Sequence, residues 1–162
     1  MNKKTLYIIP GHKETTRRRA YQKLSKFALK KGYEVVKINP DWKRSLSKQI
    51  FNVEKGAVLF GFSLGGILAQ LLAEKNKPSK VILASSTTYL CAHDLKKFLP
   101  KGIISDIRKT KGIKIKNYVA LYGSLEKKYL PKFVPKNMKY RLIPRTGHNL
   151  SAAYIRAIIS SL

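Results

Sequence analysis

The sequence predicts an α/β domain with a mostly parallel six-stranded sheet and helices on both faces. Three observations carry this. Short apolar runs alternate with helical patterns from one end of the 162-residue chain to the other. The third run, Ala57 to Phe60, and the centre of the fourth, Val81-Ile82-Leu83, are apolar throughout, as strands buried on both faces are. The runs end at Pro, Gly, Asn or Ser signals, so each strand feeds a loop and then a helix. The whole span 1–162 is expected to form one domain.

The elements follow in order. Leu6 to Ile9 is a strand closed by Pro10-Gly11. A helix is predicted from about Thr15 to Lys31, with Tyr21, Leu24, Phe27 and Ala28 on its apolar face and Gly32 as its C-terminal stop. Tyr33 to Ile38 is a second strand, ended by Asn39-Pro40-Asp41, and Asp41 reads as the N-cap of a helix over Trp42 to Val53. Ala57 to Phe60 is the third strand, and a helix runs on to about Asn76. Lys80 to Ala84 is the fourth. Residues 85–113 open on a hydroxyl-rich turn, Ser85-Ser86-Thr87-Thr88, and continue as one or two helical pieces that could serve as a lid. Tyr118 to Tyr122 and Met138 to Ile143 are the fifth and sixth strands. The last helix starts near Leu150, with Ala153, Ala157 and Ile158 on its apolar face.

Composition narrows the function classes. No apolar run approaches the ~18–20 residues that span a bilayer. The start, Met1-Asn2-Lys3-Lys4, carries no apolar signal segment, and a cytoplasmic location is expected. The single Cys91 excludes an internal disulfide and a multi-cysteine zinc site, and it reads as a small apolar residue. Thirty-four Lys and Arg against eight Asp and Glu give a formal net charge of +26. Such a surface attracts polyanions or anionic membranes in a salt-dependent way. The cations are spread along the chain, only Arg17-Arg18-Arg19 is a tight cluster, and no specific nucleic-acid signature is visible.

The strongest chemical signal is Gly61-Phe62-Ser63-Leu64-Gly65-Gly66 between the third strand and its helix. G-x-S-x-G also occurs by chance as a glycine-rich turn. Here strand, turn and helix stand in the order that a nucleophile elbow requires. Glycines permit the sharp turn that exposes the Ser63 hydroxyl, and the helix beginning near Leu64 aims N–H groups and a positive dipole end at the space above it.

A serine nucleophile needs a base and a group to orient that base. The histidines are His12, His93 and His148. His148, in Thr146-Gly147-His148-Asn149 just before the last helix, is placed to reach Ser63. Four carboxylates follow Ser63. Glu74 sits about three turns along the elbow helix, and Asp106 lies in a helix-like stretch. Glu126 closely follows the fifth strand, in a loop that should neighbour His148. Asp94 is the alternative acid.

The order Ser63, Glu126, His148 resembles that of the α/β-hydrolase family over nearly the whole chain. The resemblance implies a serine esterase without a large cap domain. It implies an oxyanion hole made by the Leu64 N–H and one N–H near His12 or Lys13, where the family's usual His-Gly pair appears as Gly11-His12. Small carboxylic esters are the implied substrates, cleaved through an acyl-enzyme. Thioesters use the same machinery, and no metal or organic cofactor is required. The usual antiparallel leading strands are not expected from this pattern, and a truncated sheet with an open, shallow site is predicted. The alternative is a non-catalytic module on the same scaffold, binding nucleic acid or another polyanion through its basic surface.

Overall fold

A computed structural model describes residues 3–86, 97–128, 130, 134 and 138–162. Six strands form one sheet: β1 (Thr5–Ile9), β2 (Glu34–Lys37), β3 (Val58–Phe62), β4 (Lys80–Ala84), β5 (Tyr118–Gly123) and β6 (Tyr140–Ile143). Among the described residues four α-helices accompany them: α1 (Arg19–Lys30), α2 (Leu64–Asn76), α3 (Lys101–Lys109) and α4 (Ala152–Ser161). The strand order is β2-β1-β3-β4-β5-β6, and every pairing is parallel.

Alternation along the strands splits the core in two, because successive side chains leave a strand on opposite faces. Tyr7, Ile9, Leu59, Val81 and Leu83 face α2 and α3, where Ile67, Leu68, Ile103 and Ile107 meet them. Leu6, Ile8, Phe60, Ile82 and Leu121 face α1 and α4, against Tyr21, Leu24, Tyr154 and Ile158. α1 ends as expected. Gly32 adopts φ +85°, its N–H donates to Leu29 O, and the Tyr33 N–H reaches Ala28 O. This is a Schellman closure.

The chain runs outward from β1 to β2 and then crosses back to β3. Loops leaving the carboxyl ends of β1 and β3 therefore diverge, which opens a crevice between them.

Three local expectations change. Residues 42–53 do not form a helix; they hold one 3-10 turn, Leu46–Lys48. The Ser45 and Ser47 hydroxyls donate to the fully buried Asp106 at 2.7 and 2.6 Å, and the Ser47 N–H donates to it at 3.1 Å. Side-chain and backbone donors committed to a tertiary carboxylate are not free for a helix. Asp41 consequently caps no helix; its Oδ1 accepts the Lys43 N–H in a local turn. α1 starts at Arg19, because Thr16 is fastened to Asn39 by its N–H and its hydroxyl. Phe27 lies outside the buried face, which Tyr21, Leu24, Ser25 and Ala28 fill.

Candidate active site

Ser63 stands at the tip of the β3–α2 turn with φ +52° and ψ −122°. This is the left-handed half of backbone space, uncommon for a residue with a side chain and a marker of stored strain. The neighbouring glycines permit it. A Cβ on Gly61 would lie 2.4 Å from Gly65 O, and a Cβ on Gly65 would lie 2.3 Å from Pro10 O. The first helical turn is thus pressed against β1. The Ser63 N–H completes the sheet by donating to Ala84 O at 2.8 Å.

His148 and Glu126 arrive from the loops after β6 and β5. Those loops are laced together: the Leu125 N–H donates to Thr146 O, and the Arg145 N–H donates to the Ser124 hydroxyl. His148 Nε2 lies 2.9 Å from Ser63 Oγ, and His148 Nδ1 lies 2.9 Å from Glu126 Oε1. Phe62 supports the imidazole, with ring centroids 5.4 Å apart. His148 is half exposed and Glu126 is buried.

The second carboxylate oxygen of Glu126 is equally committed. The Ser85 hydroxyl donates to Oε2 at 2.7 Å, the Gly123 N–H at 2.8 Å, and the Tyr154 hydroxyl reaches it at 3.1 Å. Ser85 Oγ and the Tyr154 hydroxyl are 2.6 Å apart. Burial opposes ionisation of Glu126, but the hydrogen bonds from His148, Ser85 and the Gly123 N–H outweigh it and hold the carboxyl below its ordinary value. An ionised carboxylate only accepts, so the proton of a neutral His148 sits on Nδ1, and Nε2 accepts from the Ser63 hydroxyl. Burial raises the Tyr154 phenol, the Ser85 bond opposes this and the Glu126 charge adds to it; the phenol stays protonated.

Gly11, His12, Lys13 and Glu14 form a tight turn after β1. The Glu14 N–H donates to Gly11 O, and Lys13 has φ +57°. Glu14 folds back over it: its carboxylate accepts from the Gly11 N–H, the Tyr21 hydroxyl and the Arg18 guanidinium. A methyl group on Gly11 would come within 3.4 Å of Ser63 Cβ, so this turn borders the serine directly. Burial, with the Lys13 charge, lowers the pKa of His12.

The structure therefore brings together Ser63, Glu126 and His148, and sets His12, Lys13 and Leu64 around them. Asp94 and His93, the alternative acid and the third histidine, lie outside the described residues, as does Cys91. Glu74 is exposed on α2, and Asp106 serves the 45–47 loop. Ser85, Tyr154 and Glu14 join the site although the sequence pattern assigns them no part in it. The hydroxyl-rich turn after β4 was the available signal for Ser85; nothing in the sequence marked Glu14. Among the described residues no cluster of three or more His, Cys, Asp or Glu is placed to hold a metal ion, and no helix is long and apolar enough to cross a membrane.

Comparison with solved structures decides the architecture. A hydrolase from Agrobacterium vitis S4, described as putative, superposes with TM-score 0.72 at 14% identity, covering 98% of this chain and 86% of that one. The chain has the α/β-hydrolase fold. Est1E from Butyrivibrio proteoclasticus matches with TM-score 0.65 at 13% identity, over 98% of this chain and 85% of that one. Mouse alpha/beta hydrolase domain-containing protein 10 matches with TM-score 0.64 at 13% identity, over 97% and 87%. No protein-family model matches the sequence, and no curated protein matches it. Within this α/β-hydrolase fold, the described part of the sheet is wholly parallel, where the sequence predicts a mostly parallel one.

Proposed function

We propose that this chain is a serine hydrolase that cleaves carboxylic esters through Ser63, His148 and Glu126. The observation that carries the reading is the unbroken line from Ser63 Oγ through both imidazole nitrogens to Glu126 Oε1, each contact 2.9 Å. It stands on a strained turn at the N-terminus of α2.

His148 Nε2 takes the Ser63 proton as Oγ attacks the acyl carbon. Glu126 fixes the tautomer and stabilises the imidazolium that forms. The Leu64 N–H opens α2, where first-turn donors lack intrahelical acceptors. With an N–H of His12 or Lys13 it receives the oxyanion, and each such donor contributes about 3–4 kcal/mol in comparable sites. His148 then protonates the leaving alcohol. A water that it activates next releases the acid from Ser63.

Hydrolysis of p-nitrophenyl acetate and butyrate by the wild type and Ser63→Ala tests this. Turnover lost in the variant supports the reading. Equal turnover in both proteins overturns it. The polyanion-binding alternative has the +26 charge in its favour, and it predicts salt-sensitive polyanion binding with no Ser63-dependent turnover.

A further inference from the structure

On the far side of the Gly11 turn from Ser63, an open cleft of about 460 Å³ lies between the loops that follow β1 and β2, with the approach to α3 as its third side. Three of its lining residues carry aromatic rings, His12, Trp42 and Phe98. Trp42 meets the His12 ring edge-on, with centroids 5.7 Å apart and planes at 90°. Phe98 also lines the cleft, although 72% exposed. Such rings hold an aromatic guest by offset stacking or edge-to-face contact. The charges of the lining are two cations, Lys13 and Lys43, and one carboxylate, Asp41. Asp41 is engaged by the Lys43 N–H at 3.0 Å. The cleft is net positive in a protein of formal charge +26, and such a field draws anions.

Position relative to the reacting atoms assigns the cleft to one half of an ester. His12 adjoins Gly11, which packs against Ser63; neither Ser63 nor His148 is part of the lining, and His148 rests on Phe62, away from the Gly11 turn's cleft side. A leaving alcohol takes its proton from His148 and stays on that side. The acyl group extends the other way. Building on the serine hydrolase reading, we propose that this cleft binds the acyl part of the substrate, and that this part is a flat aryl group with a carboxylate at its far end. The aryl body lies between Trp42 and Phe98, and the carboxylate meets Lys13 and Lys43.

Trp42 is the only tryptophan of the chain, so its fluorescence reports occupancy of the cleft. The probes are 4-acetylbenzoate and 4-acetylbenzamide, ketones matched in shape and not hydrolysed. Both should quench Trp42 saturably, the carboxylate at about fivefold lower concentration in low salt, as expected for partly solvated charges at contact distance. Lys43→Gln should at least halve that preference, and Lys75→Gln, on the exposed end of α2, should keep it. Absence of saturable quenching, equal affinity for the two ketones, or an equal effect of Lys75→Gln would each overturn the proposal. The ketones are not turned over, so the titration reads the cleft alone. A failure of p-nitrophenyl ester hydrolysis counts separately, against the serine reading.

Discussion

The Ser85 hydroxyl donates to Glu126 Oε2 at 2.7 Å, on the opposite side of the carboxylate from His148. A serine from the β4 loop thus holds from behind the group that orients the imidazole. Hydrogen bonds to a buried charge are worth about 1.5–3 kcal/mol. Ser85→Ala is expected to lower kcat about tenfold, with KM little changed, because Glu126 loses a fixed donor while the substrate contacts persist. Steady-state kinetics on a p-nitrophenyl ester measures the split; a rise in KM alone would assign Ser85 to substrate binding instead.

Glu126→Gln keeps the shape of the side chain and removes its charge. The Nδ1 tautomer and the imidazolium both lose their support, so kcat should fall on the order of 10³–10⁴, as for comparable replacements in triads. An effect smaller than about tenfold, with Asp94→Asn more damaging, would move the acid to Asp94.

Asp106 supplies a prediction about stability. Burial raises its pKa, but the Ser47 and Ser45 hydroxyls and the Ser47 and Leu46 N–H groups together hold it below the ordinary 3.8. A carboxyl depressed in the folded state adds stability that is fully present above its unfolded pKa and disappears as pH falls through the folded one. Wild type should therefore exceed Asp106→Asn most at pH 6–7, and the gap should close as pH drops below about 4. Urea midpoints at a series of pH values test this. A gap that widens in acid would reverse the sign.

Two glycines of the site should respond differently to alanine. A Cβ on Gly65 would lie 2.3 Å from Pro10 O, a backbone atom that cannot move aside. Gly65→Ala is expected to cost about 3 kcal/mol or more, or to displace the β1 loop. Gly147 has 3.9 Å to its nearest neighbour, and Gly147→Ala should stay within about 0.5 kcal/mol. Chemical denaturation of both variants distinguishes a tightly packed elbow from a tolerant one.

These contrasts show what the sequence could reveal. The strands were legible because Leu6–Ile9, Ala57–Phe60 and Lys80–Ala84 are short apolar runs between breakers, and Gly32 marked its helix end by local chemistry alone. Ser63 and His148 were legible from turn glycines and chain order. Residues 42–53 misled because the acceptor that captures Ser45 and Ser47, Asp106, lies some sixty positions away and its burial is a tertiary fact. Phe27 misled because a helical face is a continuum, and packing chose Ser25 for the place beside Tyr21. The contacts of Ser85 and Tyr154 with Glu126, like the clamp of Glu14 and Tyr21 on the Gly11 turn, join separate loops and helices, so no local pattern encodes them.

The central claim is that Ser63 is a nucleophile activated by His148. Treatment with a fluorophosphonate, followed by intact mass and peptide mapping, tests it directly. One adduct is expected, on Ser63, absent in Ser63→Ala and formed at least about a hundredfold more slowly in His148→Ala. An unmodified wild type, a label on another residue, or labelling indifferent to His148 would contradict it.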